Sequence, residues 1–142
     1  MQVKDVMSRQ VISVSPEEPV AVAARLLSRY NVGALPVCGA DKKLRGVLTD
    51  RDIVLRCVAA GEDPGKMLVQ EAMTRRVICA KPEDPAVIAA NLMAREQVRR
   101  LPVEQGGKLV GMISLADLAV VPDYSMEAAD ALGEICSQVL DR

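Results

Sequence analysis

The chain repeats itself. Displaced by 66 residues, Met7 falls on Met73, Val11-Ile12 on Val77-Ile78, Pro16-Glu17 on Pro82-Glu83, Ala23-Ala24 on Ala89-Ala90 and Leu35-Pro36-Val37 on Leu101-Pro102-Val103. One residue is missing from the turn that follows, so the displacement drops to 65. Gly46, Thr49 and Asp52 then fall on Gly111, Ser114 and Asp117. Ordered matches of this extent, broken by one gap, mean two copies of one structural unit. Any fold proposed for the chain must be built twice.

Each copy reads alike. Val11 to Val14 is β-branched and suits a strand. Ser15-Pro16-Glu17-Glu18-Pro19 carries helix-start residues. Apolar positions 20, 23, 24 and 27 then form a helical stripe that Asn31 and Gly33 end. Ala34 to Cys38 and Leu44 to Thr49 predict a hairpin, and Asp50 to Ala60 a helix stopped by Gly61. The second copy gives strand 77–80, helix 84–97, strands 101–104 and 108–113, and helix 114–120. The expected class is α/β (α+β): two β-α-β-β-α repeats. Such a unit buries too little surface to stand alone, so the copies are expected to pack sheet against sheet about a pseudo-twofold axis. The predicted boundaries are 1–61 for the first repeat, 62–68 for a linker, 69–121 for the second repeat and 122–142 for a tail. Apolar residues at 128, 131, 132, 135 and 139 make that tail a helix, with its acids on a solvated face.

Composition narrows the chemistry. The 142 residues include no His, Trp or Phe and two Tyr. Without His there is no Ser-His-Asp or Cys-His mechanism and no His-based zinc site. Without aromatic platforms and with a net charge of −1, nucleic-acid binding is not expected, even with Arg75-Arg76 and Arg99-Arg100 present. No apolar run approaches about 20 residues, so no membrane span is expected. No secretory leader is visible, and Cys38, Cys57, Cys79 and Cys136 lie far apart. They read as reduced thiols of a cytoplasmic protein, with no metal site.

The unusual sites are Gly46-Val47-Leu48-Thr49-Asp50-Arg51-Asp52 and Gly111-Met112-Ile113-Ser114-Leu115-Ala116-Asp117. A hydroxyl followed three residues later by an acid forms a capping box. The same pair can serve a ligand: the hydroxyl and nearby N–H groups take an anion, and the carboxylate takes a ribose diol. Both readings can hold together. Each repeat offers one such carboxylate, so no acid–base pair assembles and an enzyme is not expected.

The doubled unit, with Leu-Pro-Val and then Gly-hydrophobic-hydrophobic-Ser/Thr-x-x-Asp, resembles a tandem cystathionine-β-synthase (CBS) domain pair, the Bateman module. Leu35-Pro36-Val37-Cys38-Gly39 with Leu48-Thr49-Asp50-Arg51-Asp52-Ile53-Val54 is similar to small stand-alone bacterial members, including those of the hypoxic-response type. The resemblance implies a non-catalytic regulatory module that binds an adenosine-containing ligand in clefts between the repeats: AMP, ADP or ATP foremost, or S-adenosylmethionine. It also implies a homodimeric disc and an unidentified regulated partner. Thr49 and Asp52 fall on the ribose-and-phosphate motif of one cleft, Ser114 and Asp117 on that of the other. Ile12-Ser13 and Ile78-Cys79 fall on the strand that reads adenine. Ala34 and Pro36, with Arg100 and Pro102, fall on the strand that closes the pocket. Arg51, Arg99 and Arg100 are candidates for phosphate. The competing expectation is a ligand-free dimerisation scaffold. Helix faces 20–27 and 86–93, with the tail stripe, are expected to supply the dimer surface.

Overall fold

The computed structural model describes residues 1–140. The predicted tail positions 141 and 142, and the side chain of Val139 in its stripe, lie outside the described residues. The elements in order are α1 (Val3–Val6), α2 (Val20–Tyr30), β1 (Ala34–Cys38), β2 (Leu44–Thr49) and α3 (Asp50–Ile53), which runs into a π-helical stretch Val54–Val58. Then come α4 (Val69–Ala72), α5 (Ala86–Glu96), β3 (Arg100–Gln105), β4 (Lys108–Ser114), α6 (Leu115–Ala119), a 3-10 turn Pro122–Tyr124 and α7 (Ser125–Leu140). The class is mixed α/β with two small two-stranded sheets, β1-β2 and β3-β4, and a C-terminal helix. Each sheet is a hairpin. Gly106 and Gly107 close the second at φ +60° and +81°, left-handed values that glycine adopts at low cost.

Two compact units form. One holds residues 12–77 and 107–109; the other holds residues 1–11, 78–106 and 110 onward. The opening segment of each sequence repeat therefore packs with the body of the other repeat. In the first unit, Val14, Val20, Leu27, Leu35, Val37, Leu48, Ile53, Cys57 and Val69 form the core. In the second, Val3, Ala90, Met93, Leu101, Val103, Ile113 and Leu118 do so, with Ala128, Ala131 and Ile135 of α7 added.

Several elements depart from the sequence expectation. The runs 11–14 and 77–80 are not strands: each makes one parallel bridge, Val14 to Val37 and Ala80 to Val103. The Val14 N–H donates to the Pro36 carbonyl at 3.0 Å, and the Cys38 N–H donates to the Val14 carbonyl at 3.0 Å. The next rung of a parallel ladder would need the N–H of residue 36 to reach the Ile12 carbonyl. Proline has no N–H, and Pro102 stops the second ladder at Ala80 in the same way. The Leu-Pro-Val triplet thus leaves the Ile12 and Ile78 carbonyls unclaimed by β1 and β3. Ser15 does not cap α2; the N-cap is Pro19, and the Ser15 N–H instead donates to Glu18 Oε1 at 3.3 Å within its own turn. The short helices α1 and α4 were not predicted. The faces 20–27 and 86–93 are also corrected: Val20, Ala23, Leu27, Ala86, Ala89, Ala90 and Met93 are buried inside their own units. Of those two faces Ile88 stays exposed, and other exposed apolar residues include Val54, Leu55, Val58, Val120 and Met126.

Candidate functional site

Both hydroxyl–acid pairs form the reciprocal cap. The Asp52 N–H donates to Thr49 Oγ1 at 3.0 Å, and the Thr49 N–H donates to Asp52 Oδ2 at 3.0 Å. The Asp117 N–H donates to Ser114 Oγ at 3.1 Å, and the Ser114 N–H donates to Asp117 Oδ2 at 3.0 Å. The local reason is the same twice. Thr49 and Ser114 end a strand with extended φ, and the helix turns at the next residue. The cap spends one carboxylate oxygen and leaves Oδ1.

The glycine three residues upstream has a packing cause. A Cβ on Gly46 would lie 2.6 Å from the Thr74 carbonyl, and one on Gly111 would lie 2.8 Å from the Ser8 carbonyl. Segments Met73-Thr74 and Met7-Ser8 cross β2 and β4 there, through paired bonds between Val47 and Thr74 and between Ser8 and Met112. Thr74 and Ser8 coincide under the 66-residue displacement. The candidate residues divide between the two units. Ile12, Ser13, Ala34, Pro36, Thr49, Arg51 and Asp52 fall in one unit; Ile78, Cys79, Arg99, Arg100, Pro102, Ser114 and Asp117 fall in the other. The register sets Ala34 opposite Thr49, so the start of β1 adjoins the cap.

The surroundings of the two carboxylates differ. Asp52 is buried, at 9% exposure. Thr74 Oγ1 lies 3.4 Å from its Oδ1, and Arg56 Nη1 lies 3.9 Å from the same oxygen. That guanidinium nitrogen also donates to the Ala72 and Met73 carbonyls at 2.9 and 2.8 Å, tying Asp52 to the end of α4. Asp117 is half-buried, and the residue matched to Arg56 is Val121. Sequence reasoning missed Thr74 and Arg56. The repeat match of Thr74 with Ser8 was a usable signal for the first. Arg56 has no counterpart in the second copy to draw attention to it.

The arginines also divide. Arg51 is exposed, with Asp50 Oδ1 accepting its backbone N–H at 2.8 Å. Arg99 and Arg100 are exposed. The Arg99 carbonyl accepts the Leu115 N–H at 3.0 Å, as the Gly33 carbonyl accepts the Asp50 N–H at 3.0 Å. Burial, reinforced by Glu104, pushes the Cys79 thiol up to about 11. Burial and then Asp41 push Cys38 upward too. All four cysteines are free thiols, and among the described residues no three His, Cys, Asp or Glu side chains gather as metal ligands. An open cavity of about 490 Å³ in the Thr49 unit lies at the hairpin turn, against Glu17, Asp41, Arg45 and Arg75, and touches none of the candidate residues.

A family model for the CBS domain matches residues 3–58 and again 69–122. The chain belongs to the CBS-domain family. This CBS pair is 43% identical to the CBS domain-containing protein YhcV of Bacillus subtilis over 96% of each chain. It matches the solved structure of hypoxic response protein I with two coordinated zinc ions at TM-score 0.78 and 36% identity, over 84% of this chain and 97% of that one. It also matches the CBS domain pair of protein MJ0100, solved in complex with 5′-methylthioadenosine and S-adenosyl-L-methionine. There the TM-score is 0.73 and the identity 28%, over 84% of this chain and 93% of the other. No described helix is long and apolar enough to cross a membrane.

Proposed function

We propose that this CBS pair is a non-catalytic regulatory module that binds an adenosine-containing ligand, with one site in each unit. The observation that carries the reading is the duplicated geometry. In each unit a strand-end hydroxyl and a carboxylate hold each other, and the proline of the Leu-Pro-Val triplet leaves the Ile12 or Ile78 carbonyl unclaimed by the adjoining strand. Asp117, with one oxygen spent on its cap, keeps the other for ribose hydroxyls, Asp52 offers an oxygen that a ribose hydroxyl would share with Thr74 and Arg56, and a bare carbonyl suits the adenine amino group. The MJ0100 pair supports the class of ligand. AMP, ADP, ATP and S-adenosylmethionine share the adenosine portion. A thermal-shift panel over these four, with NADH as control, tests the reading. A ligand at 100 times its Kd stabilises by about 2.7 kcal/mol. A flat panel would favour the second reading, a ligand-free scaffold, which the completed caps support because each carboxylate already has structural work.

The proposal includes a homodimer. Val54, Leu55 and Val58 share one helical stretch and are 55%, 51% and 65% exposed. Apolar area of that kind marks an interface. Light scattering at micromolar concentration should give twice the 15.3 kDa chain mass. A monomer would refute the dimer. The free thiols and the regulatory role suit a cytoplasmic protein that reports ligand state to another protein.

A further inference from the structure

The two sites differ in charge at matched positions. In the Thr49 unit the cap is flanked by the hydrogen-bonded pair Gly33 and Asp50, and in the other unit by the pair Arg99 and Leu115. Gly33 corresponds to Arg99, and Asp50 to Leu115. Asp50 Oδ2 lies 3.5 Å from where a Gly33 Cβ would stand, while Oδ1 holds the Arg51 N–H at 2.8 Å. One site thus has a fixed carboxylate where the other has an arginine and an aliphatic side chain. The other cations of the Thr49 site do not reverse this. Arg56 is committed to two backbone carbonyls and Asp52, and Arg51, exposed like Arg99 and Arg100, is offset by the neighbouring Asp50 carboxylate. In the Ser114 site, Arg99 and Arg100 make no ion pair among the described residues. Glu104 stands four residues along β3 from Arg100, beside Cys79.

From this difference we infer that the sites sort adenosine ligands by the charge at the 5′ end. The Ser114 site, with Arg99 and Arg100, takes a 5′-phosphorylated nucleoside. The Thr49 site, with Asp50, disfavours phosphate and takes an adenosine whose 5′ end is neutral or cationic. The inference rests on the adenosine-ligand reading and deepens it. One charge beside a phosphate at a partly exposed site is worth roughly a decade of affinity.

The test is calorimetric titration of the full chain with AMP, adenosine and S-adenosylmethionine. Adenosine is the neutral control, sharing base and ribose. The wild type should bind AMP at one site per chain and S-adenosylmethionine at the other. Arg99→Gln should weaken AMP about five- to tenfold and leave adenosine within about twofold. Asp50→Asn keeps a side-chain acceptor for the Arg51 N–H and removes the charge. It should create a second AMP equivalent, or tighten a weak one by about five- to tenfold, and weaken S-adenosylmethionine. If the ratio of AMP to adenosine affinity is unchanged in both variants, charge sorting is wrong while adenosine binding stands. If no ligand gives heat with the wild type, the ligand reading and this inference both fall.

Discussion

The Thr49 and Ser114 sites are two copies of one solution, and the comparison shows what a repeat conserves in space and what it releases. Both keep the strand-end hydroxyl, the reciprocal cap, the glycine under a crossing segment and the proline that ends a ladder. They differ in what surrounds the carboxylate. Asp52 is buried and braced by Thr74 and Arg56, whereas Asp117 is half-buried and its Oδ1 is left to solvent or ligand. The backbone geometry of a site can therefore be duplicated while its electrostatics diverge. One copy has moved towards a structural carboxylate, and the other stays open.

The comparison breaks first at the glycines. Gly46→Ala should destabilise by about 3 kcal/mol, since the Cβ meets the Thr74 backbone carbonyl and the crossing segment must move. Gly111→Ala meets the Ser8 carbonyl at a slightly longer distance and should cost less. Chemical denaturation measures both. Equal and small losses would mean that the crossing segments are loosely held.

The aspartates should order oppositely in stability and in binding. Asp52→Ala strands the Thr49 N–H and removes Arg56's carboxylate partner, for about 2 kcal/mol of stability. Asp117→Ala removes a half-exposed cap, for about 1 kcal/mol. In titrations with AMP, Asp117→Ala should lose at least about tenfold in affinity and Asp52→Ala less, because the Asp52 oxygens are already engaged. If both variants melt lower while AMP affinity is untouched, the aspartates are caps and not ligand residues.

Arg56→Met probes a brace that only one site has. It should cost about 1 kcal/mol, discounted because the guanidinium is 47% exposed. The Val47 and Thr74 amides should exchange faster with deuterium, while the Ser8 and Met112 amides are unchanged. Equal exchange at both bridges would show that Arg56 does not hold the Met73-Thr74 crossing.

Cys79 gives the smallest effect. With its thiol at about 11, roughly one molecule in a thousand carries a thiolate at pH 8. Alkylation of Cys79 by iodoacetamide should be slow there and should keep accelerating until the pH passes that value. Bound nucleotide should slow it further, whereas exposed Cys136 should not respond to nucleotide. A fast reaction at pH 7 would mean that Cys79 is not desolvated.

The doubling, the helix-hairpin-helix order and the cap at each motif are legible along the chain. Those depend on residue type at fixed short spacing: apolar stripes every three to four residues, Asn31 at a left-handed helix end, and a hydroxyl three residues before an acid. The sequence did not reveal that 11–14 and 77–80 stop at one bridge, because the missing N–H belongs to Pro36 and Pro102 on another strand. Nor did it reveal the purpose of Gly46 and Gly111, which depends on chain crossing from more than 25 or 100 residues away in sequence. Folding alone brings Arg56 back to Ala72, Met73 and Asp52, and sets Asp50 over Gly33 where Arg99 stands in the other copy. Propensity and capping act within a few residues and can be read along the chain. Ladder termination, close backbone approach and charge placement are set by distances between segments that meet only when the chain is folded.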